Sequence, residues 1–191
     1  MTLPSEDARE DKLTGTAGRV DRRKRLRVFQ EELVERMQAA RAQTDVRDNR
    51  LGVLIGQRRW LIDLQETGEV VPFNSLTKVP LTQSWYLGLL NIRGNLVSVI
   101  DFAIYQGLEP TETEPTNRVI TFAPSLGINC GILVSRVFGL RNVSEMLALP
   151  TQSNKPASWV GDGFRDSESQ QWTGLSLTAI AHDPRFLHIG T

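Results

Sequence analysis

The sequence predicts a mainly β protein of nine or ten short strands, with a leader helix and a short closing helix. Three observations carry this. From Leu51 onward apolar residues alternate with small or polar ones at period two. Turn-forming Gly, Pro, Asn and Asp interrupt these runs at short intervals. The stretch Trp85 to Asp101, WYLGLLNIRGNLVSVID, reads as two strands folded around Arg93-Gly94-Asn95, where Gly94 and Asn95 tolerate the positive φ of a short hairpin loop. The strand number suits small barrels, and 191 residues at 40% apolar content suffice for a core.

Taken in order, residues 1–25 are polar, mixed in charge and broken by Pro4, Gly15 and Gly18, which reads as a flexible tail. The tail ends in the basic run Arg22-Arg23-Lys24-Arg25, read as the solvated approach to a helix. Residues 26–50 form a helix and linker: Phe29, Leu33, Met37 and Ala40 make one narrow apolar stripe, and Thr44 to Arg50 is polar. The remaining domain, residues 51–188, opens with a strand through Val53 and Ile55. A turn at Gly56-Gln57-Arg58-Arg59 leads to a second strand through Trp60, Ile62 and Leu64. A third strand around Glu69-Val70-Val71 is closed by Pro72, which cannot donate to a ladder. After the hairpin come a short helix, Phe102 to Tyr105, and the acidic loop Glu109 to Asn117. Strands resume at Val119 to Phe122 and from Ile128 through Val134 into Leu140. Residues 151–157 are a polar loop, followed by a hairpin of Trp159 to Phe164 with Gln171 to Ile180. Leu177 to Leu187 predicts a short helix that folds back.

Composition excludes several function classes. Twenty-two basic residues balance twenty-two acidic ones, so no global charge draws the chain to nucleic acid or an anionic membrane. One cysteine, Cys130, leaves no internal disulfide framework and fits a reducing compartment; it sits in an apolar strand and reads as a small buried hydrophobe. No apolar run approaches the roughly 20 residues that span a bilayer, and the N-terminus has no secretory h-region, so a soluble cytoplasmic protein is expected. His182 and His188 have no metal-ligand spacing, and no phosphate loop, dinucleotide fingerprint or nucleophile elbow is present. Asp63 and Asp101 end strands, where isolated carboxylates serve turns. The expectation is a protein that is not an enzyme, with no catalytic residues, no cofactor and no metal.

The string Gly88-Leu89-Leu90-Asn91-Ile92-Arg93-Gly94, followed by an apolar strand ending in Asp101, resembles the signature of the CheW-like adaptor family of bacterial chemosensory systems. Glu69 on the preceding valine-rich strand and Pro80 ahead of the hairpin also fall at family positions. Ser135 and Ser176 stand where the family often carries Asp. The leader helix and the closing phrase His182-Asp183-Pro184-Arg185-Phe186-Leu187 are most similar to the PilI-like branch, attached to type IV pilus twitching systems. For architecture the resemblance implies two SH3-like five-stranded β-barrels side by side, joined by exchange of terminal strands.

For function it implies a non-catalytic scaffold coupling a methyl-accepting chemoreceptor to a CheA-type histidine kinase. One barrel would pair with the kinase's CheW-like regulatory domain, and the groove between the barrels would take the receptor's helical tip. The resemblance gives Thr67, Glu69, Gly88, Leu89, Asn91, Arg93 and Gly94 as partner-binding positions. Glu69 and Arg93 would lie near each other, with Thr67 on the same strand face as Glu69. The expected location is the cytoplasm, at membrane-associated chemosensory arrays and without membrane insertion. A second reading, a small-barrel nucleic-acid binder, requires a basic face with exposed aromatics. Outside residues 22–27 the sequence displays no such stripe, so no nucleic-acid partner is expected.

Overall fold

A computed structural model of the chain describes residues 48–150 and 157–191. The tail, the leader helix and nearly all of the 151–157 loop lie outside the described residues. Strand β1 (Asn49–Ile55) starts inside the stretch read as linker and pairs antiparallel with β2 (Arg58–Asp63) across a two-residue turn, so Arg58 and Arg59 belong to the ladder. Then come β3 (Thr67–Pro72), β4 (Tyr86–Ile92), β5 (Asn95–Ile100), the short helix α1 (Phe102–Tyr105), β6 (Arg118–Phe122) and β7 (Cys130–Val134). The chain continues through β8 (Arg136–Asn142), the two-residue β9 (Leu147–Ala148), β10 (Val160–Arg165) and β11 (Gln171–Leu175), and closes with α2 (Leu177–Ala181) and α3 (Pro184–Leu187).

These strands form two sheets, the two small barrels that the resemblance implies. One is five-stranded, in the order β3-β6-β7-β5-β4; the other runs β8-β1-β2-β11-β10-β9, five full strands plus the β9 stub. Among the described residues the strand count, with β9, is eleven, one above the upper figure expected. The second sheet is where the chain's ends are exchanged. The early strand β2 lies parallel to the late strand β11, Leu61 opposite Gly174, and β1 lies beside β8. A shared core joins the sheets: Val53, Trp60 and Ile62 from one meet Ile100, Ile120 and Ile132 from the other, all at most 1% exposed. A smaller cluster of Leu90, Val99, Val119 and Leu133 fills the five-stranded sheet.

Strand β2 departs from simple alternation, since Trp60, Leu61 and Ile62 are all fully buried. Leu61 pairs with Gly52 and Gly174 on the side of the sheet that carries Trp172, whose ring a Cβ at Gly52 would meet, so this strand is buried on both faces. The expected strand through Ile180 stops at Leu175, and the hydroxyl of Ser176 accepts from Ala179 N at 3.1 Å to cap α2. Ser176 also donates to Glu66 Oε1 at 3.1 Å, and Leu177 N donates to Glu66 Oε2 at 2.6 Å, tying the β2–β3 connection to the last helices. The predicted closing helix is two helices, because Asp183 caps a new start immediately before Pro184. Phe186 of α3 is buried, stacked on Trp85 at 5.8 Å and on Phe122 at 6.1 Å. His182 and His188 place Nδ1 at 2.7 and 3.0 Å from the carbonyl oxygens of Thr178 and Pro184.

Candidate partner-binding site

The β4–β5 ladder closes on the pair Ile92 and Asn95, which leaves Arg93 and Gly94 as a two-residue turn. Their φ angles are +52° and +91°, the doubly left-handed geometry of a primed hairpin turn. The turn is therefore the first two residues of the expected Arg93-Gly94-Asn95 stretch, with positive φ on Arg93 in place of Asn95, and Arg93 takes a conformation costing a non-glycine residue roughly 1 kcal/mol or more. Asn91 offsets part of that cost: its Oδ1 accepts from Gly94 N at 2.8 Å. Asn91 and Gly94 thus build the tip that presents Arg93.

From that tip Arg93 reaches Glu69, Nη2 to Oε2 at 3.1 Å, with 79% and 47% of the two side chains exposed. β3 and β4 are the opposite edges of the five-stranded sheet, so this ion pair spans the gap between them. Glu69 sits in a bulge: Thr67 opposes Phe122 while Val70 opposes Ile120, so β3 carries one extra residue. The hydroxyl of Thr121 fills the disrupted ladder, accepting from Glu69 N at 2.7 Å and donating to Glu69 O at 3.3 Å. Beneath the pair lies a shallow pocket of about 190 Å³, walled by Gly68, Ile92, Val97 and Phe122. Val70 (44% exposed) and Leu96 (58% exposed) stand on the neighbouring strands.

The other expected positions sit apart from this pair. The bulge breaks the simple alternation between Thr67 and Glu69, and the Thr67 hydroxyl turns back to donate to Asp63 O at 2.8 Å. Leu89 exchanges two backbone hydrogen bonds of 2.9 Å with Thr77, and a Cβ at Gly88 would collide with the Thr77 carbonyl. Gly88 and Leu89 therefore seat the 77 segment on the outer edge of β4. Sequence reasoning missed the pocket walls Ile92, Val97 and Phe122. Val97 falls in the apolar strand after the turn, but nothing local shows that β6 brings Phe122 beside it.

Asp63 Oδ1 accepts from Gln65 N at 2.8 Å, and Asp101 caps α1, so both carboxylates serve turns as read. Cys130 is buried and burial pushes its thiol up to about 12, away from nucleophilic chemistry. Among the described residues no group of three or more His, Cys, Asp or Glu side chains could hold a metal ion. Nor is any described helix long and apolar enough to cross a membrane. The sequence carries no local basic stripe outside residues 22–27, yet the fold brings basic residues and aromatics together. Arg59 and Arg136 lie over the Phe138 ring, Arg141 over Trp172 and Arg50 over Phe164. Five separate strands supply these residues, so no local stripe announces them.

Two exchanged sheets around one core, with a surface ion pair set over a shallow pocket, make this a small-barrel domain. The chain belongs to the CheW-like domain family, whose profile matches residues 50–184. It is similar to Protein PilI of Pseudomonas aeruginosa, 26% identical over 144 residues, which cover 73% of this chain and 78% of that protein. It is also 29% identical over 98 residues to the probable chemotaxis protein CheW of Rhizobium etli, covering 51% of this chain and 62% of that protein. Among solved structures it resembles the scaffolding protein TtCheW from Thermoanaerobacter tengcongensis. There the TM-score is 0.62 at 19% identity, covering 74% of this chain and 97% of that one, a likeness of fold.

Proposed function

We propose that this protein is a non-catalytic adaptor that couples a methyl-accepting chemoreceptor to a CheA-type histidine kinase in a system controlling type IV pilus twitching. Membership of the CheW-like family supports the adaptor class, and the similarity to PilI supports the pilus output. Its place of work is the cytoplasm, recruited to a membrane-associated array. The observation that carries the contact site is the Glu69–Arg93 pair, which holds an exposed, strained turn over an apolar pocket at positions the family resemblance assigns to partners. A receptor helix would lay apolar side chains beside Val70 and Leu96 while the two charges fix its orientation. Signalling then needs no reactive centre. Receptor states that bind the adaptor–kinase pair with different affinity shift the population of active kinase.

The test is binding of the full chain to a receptor signalling-tip fragment and to the kinase regulatory domain by calorimetry. Arg93→Glu and Glu69→Lys are expected to weaken binding to one or both by about thirtyfold, roughly 2 kcal/mol. Both variants should melt close to wild type, because an exposed pair contributes only about 0–1 kcal/mol to folding. Wild-type affinity in both variants for both partners would reject the site. Failure of the wild-type chain to bind either partner would reject the adaptor reading itself.

A further inference from the structure

We infer that the Arg59–Phe138–Arg136 array on the β8–β1–β2 sheet is a docking surface for an acidic segment of a partner protein. Phe138 is the extra residue of the β8 bulge, since Gly52 opposes Gly139 while Val53 opposes Val137. The Arg59 and Arg136 Cζ atoms lie 5.6 and 5.3 Å from the centroid of its ring. Phe138 meets Trp172 edge to face at 5.4 Å, and Trp172 carries Arg141 at 5.3 Å, so three guanidinium groups are joined through two rings. Burial acts to raise the carboxyl of Asp166, but its hydrogen bonds and the charge of Arg141 hold it below the usual carboxylate range. Asp166 is tied to this cluster through Trp172, whose indole N–H donates to its Oδ2 at 2.8 Å. Among the described residues no carboxylate pairs with Arg59 or Arg136. A guanidinium laid on a ring face is dehydrated on one side and keeps its N–H edge free for bidentate bonds to a carboxylate. Two such cations on one ring repel each other until an anion joins them.

The surroundings select a short carboxylate-bearing segment over a nucleic acid. Arg136 also lines a cleft of about 670 Å³ whose other wall carries Glu109, Glu112 and Glu114. That loop is fixed, because buried Asp101 accepts from Thr111 N at 2.7 Å and from Thr111 Oγ1 at 2.9 Å. A phosphodiester chain tracking past Arg136 would meet these three carboxylates. One or two acidic side chains can engage the arginines and leave before reaching them.

The surface is tested by fluorescence anisotropy on the full chain, with a fluorescein-labelled Glu-Ser repeat peptide and an oligothymidylate of equal net charge. The peptide is expected to bind more tightly than the oligothymidylate. Arg136→Glu and Arg59→Glu are expected to weaken peptide binding by about tenfold or more, whereas Lys78→Glu, an equal charge change in the segment beside the β4 edge of the other sheet, should alter it by about twofold at most. Arg136 is exposed, so its variant carries the test if Arg59→Glu fails to fold. Absence of peptide binding, equal losses in Arg136→Glu and Lys78→Glu, or tighter binding of the oligothymidylate would each overturn the inference.

Discussion

At Gly88 the backbone runs at φ +136°, and any Cβ would press into the carbonyl of Thr77. Alanine there must both adopt a forbidden conformation and break the Leu89–Thr77 hydrogen bonds, so Gly88→Ala is expected to cost about 3 kcal/mol. Gly94 also has positive φ, at +91°, but nothing lies within 4 Å of its missing Cβ. Gly94→Ala should therefore cost about 1 kcal/mol, the strain alone. Calorimetric melting of the two variants checks the order. Cys130 gives a pH signature. Its thiol is held protonated in the fold, to about 12, while the unfolded chain loses the proton near the ordinary thiol value. The unfolded state then binds fewer protons, so this group's contribution is complete below that value and is lost as pH rises toward 12. Burial raises Tyr105 in the same sense, at higher pH. Cys130→Ala should flatten the fall in stability between about pH 8.5 and 10, as read from urea unfolding.

Every full edge strand carries an extra residue: β3 near Gly68-Glu69, β4 at Leu87 and β8 at Phe138. Bulges there twist the unpaired backbone out of register with any second sheet and discourage edge-to-edge association. The β3 bulge depends on Thr121, whose hydroxyl makes two hydrogen bonds to Glu69. Thr121→Val is expected to lower stability by about 1–2 kcal/mol and to speed hydrogen exchange at the Glu69 amide. The Glu109–Asn117 loop depends on Asp101 in the same way. Asp101 accepts from Thr111 twice and from Ala103 N, all while 1% exposed. Asp101→Ala should cost about 3 kcal/mol and open the loop to proteolysis. Much of this was legible locally, because alternation, the valine-rich β3 and the strand-ending carboxylates are short-range signals. The bulges were not. They arise when two paired strands differ by one residue in length, and neither strand records that alone. The same holds for the arginine and aromatic array, whose members converge only through pairing of β1, β2, β8 and β11. Within the Arg93-Gly94-Asn95 turn the second positive φ falls on Arg93 and not on Asn95, although Asn is good turn chemistry, because the bond that Gly94 N donates to Asn91 Oδ1 makes Arg93 tolerable.

The two sheets are not separable along the chain. The five-stranded sheet uses residues 67–134 only, whereas its neighbour takes β1 and β2 from before that block and β8 to β11 from after it. Trp60 touches Phe102 edge to face at 6.0 Å and lies 6.1 Å from Trp159, so the shared core draws on all three stretches. Circular dichroism and tryptophan fluorescence should accordingly report one coincident unfolding transition for residues 47–191. Two resolved transitions would contradict a shared core. The exchange also orders events during synthesis. Residues 67–134 leave the ribosome as a complete sheet, while the β1–β2 hairpin, already outside, cannot bury Leu61 until β11 follows at residue 175. For that interval the nascent chain holds an apolar hairpin in search of a partner strand, the period in which chaperone capture or mispairing between neighbouring polysomal chains would act.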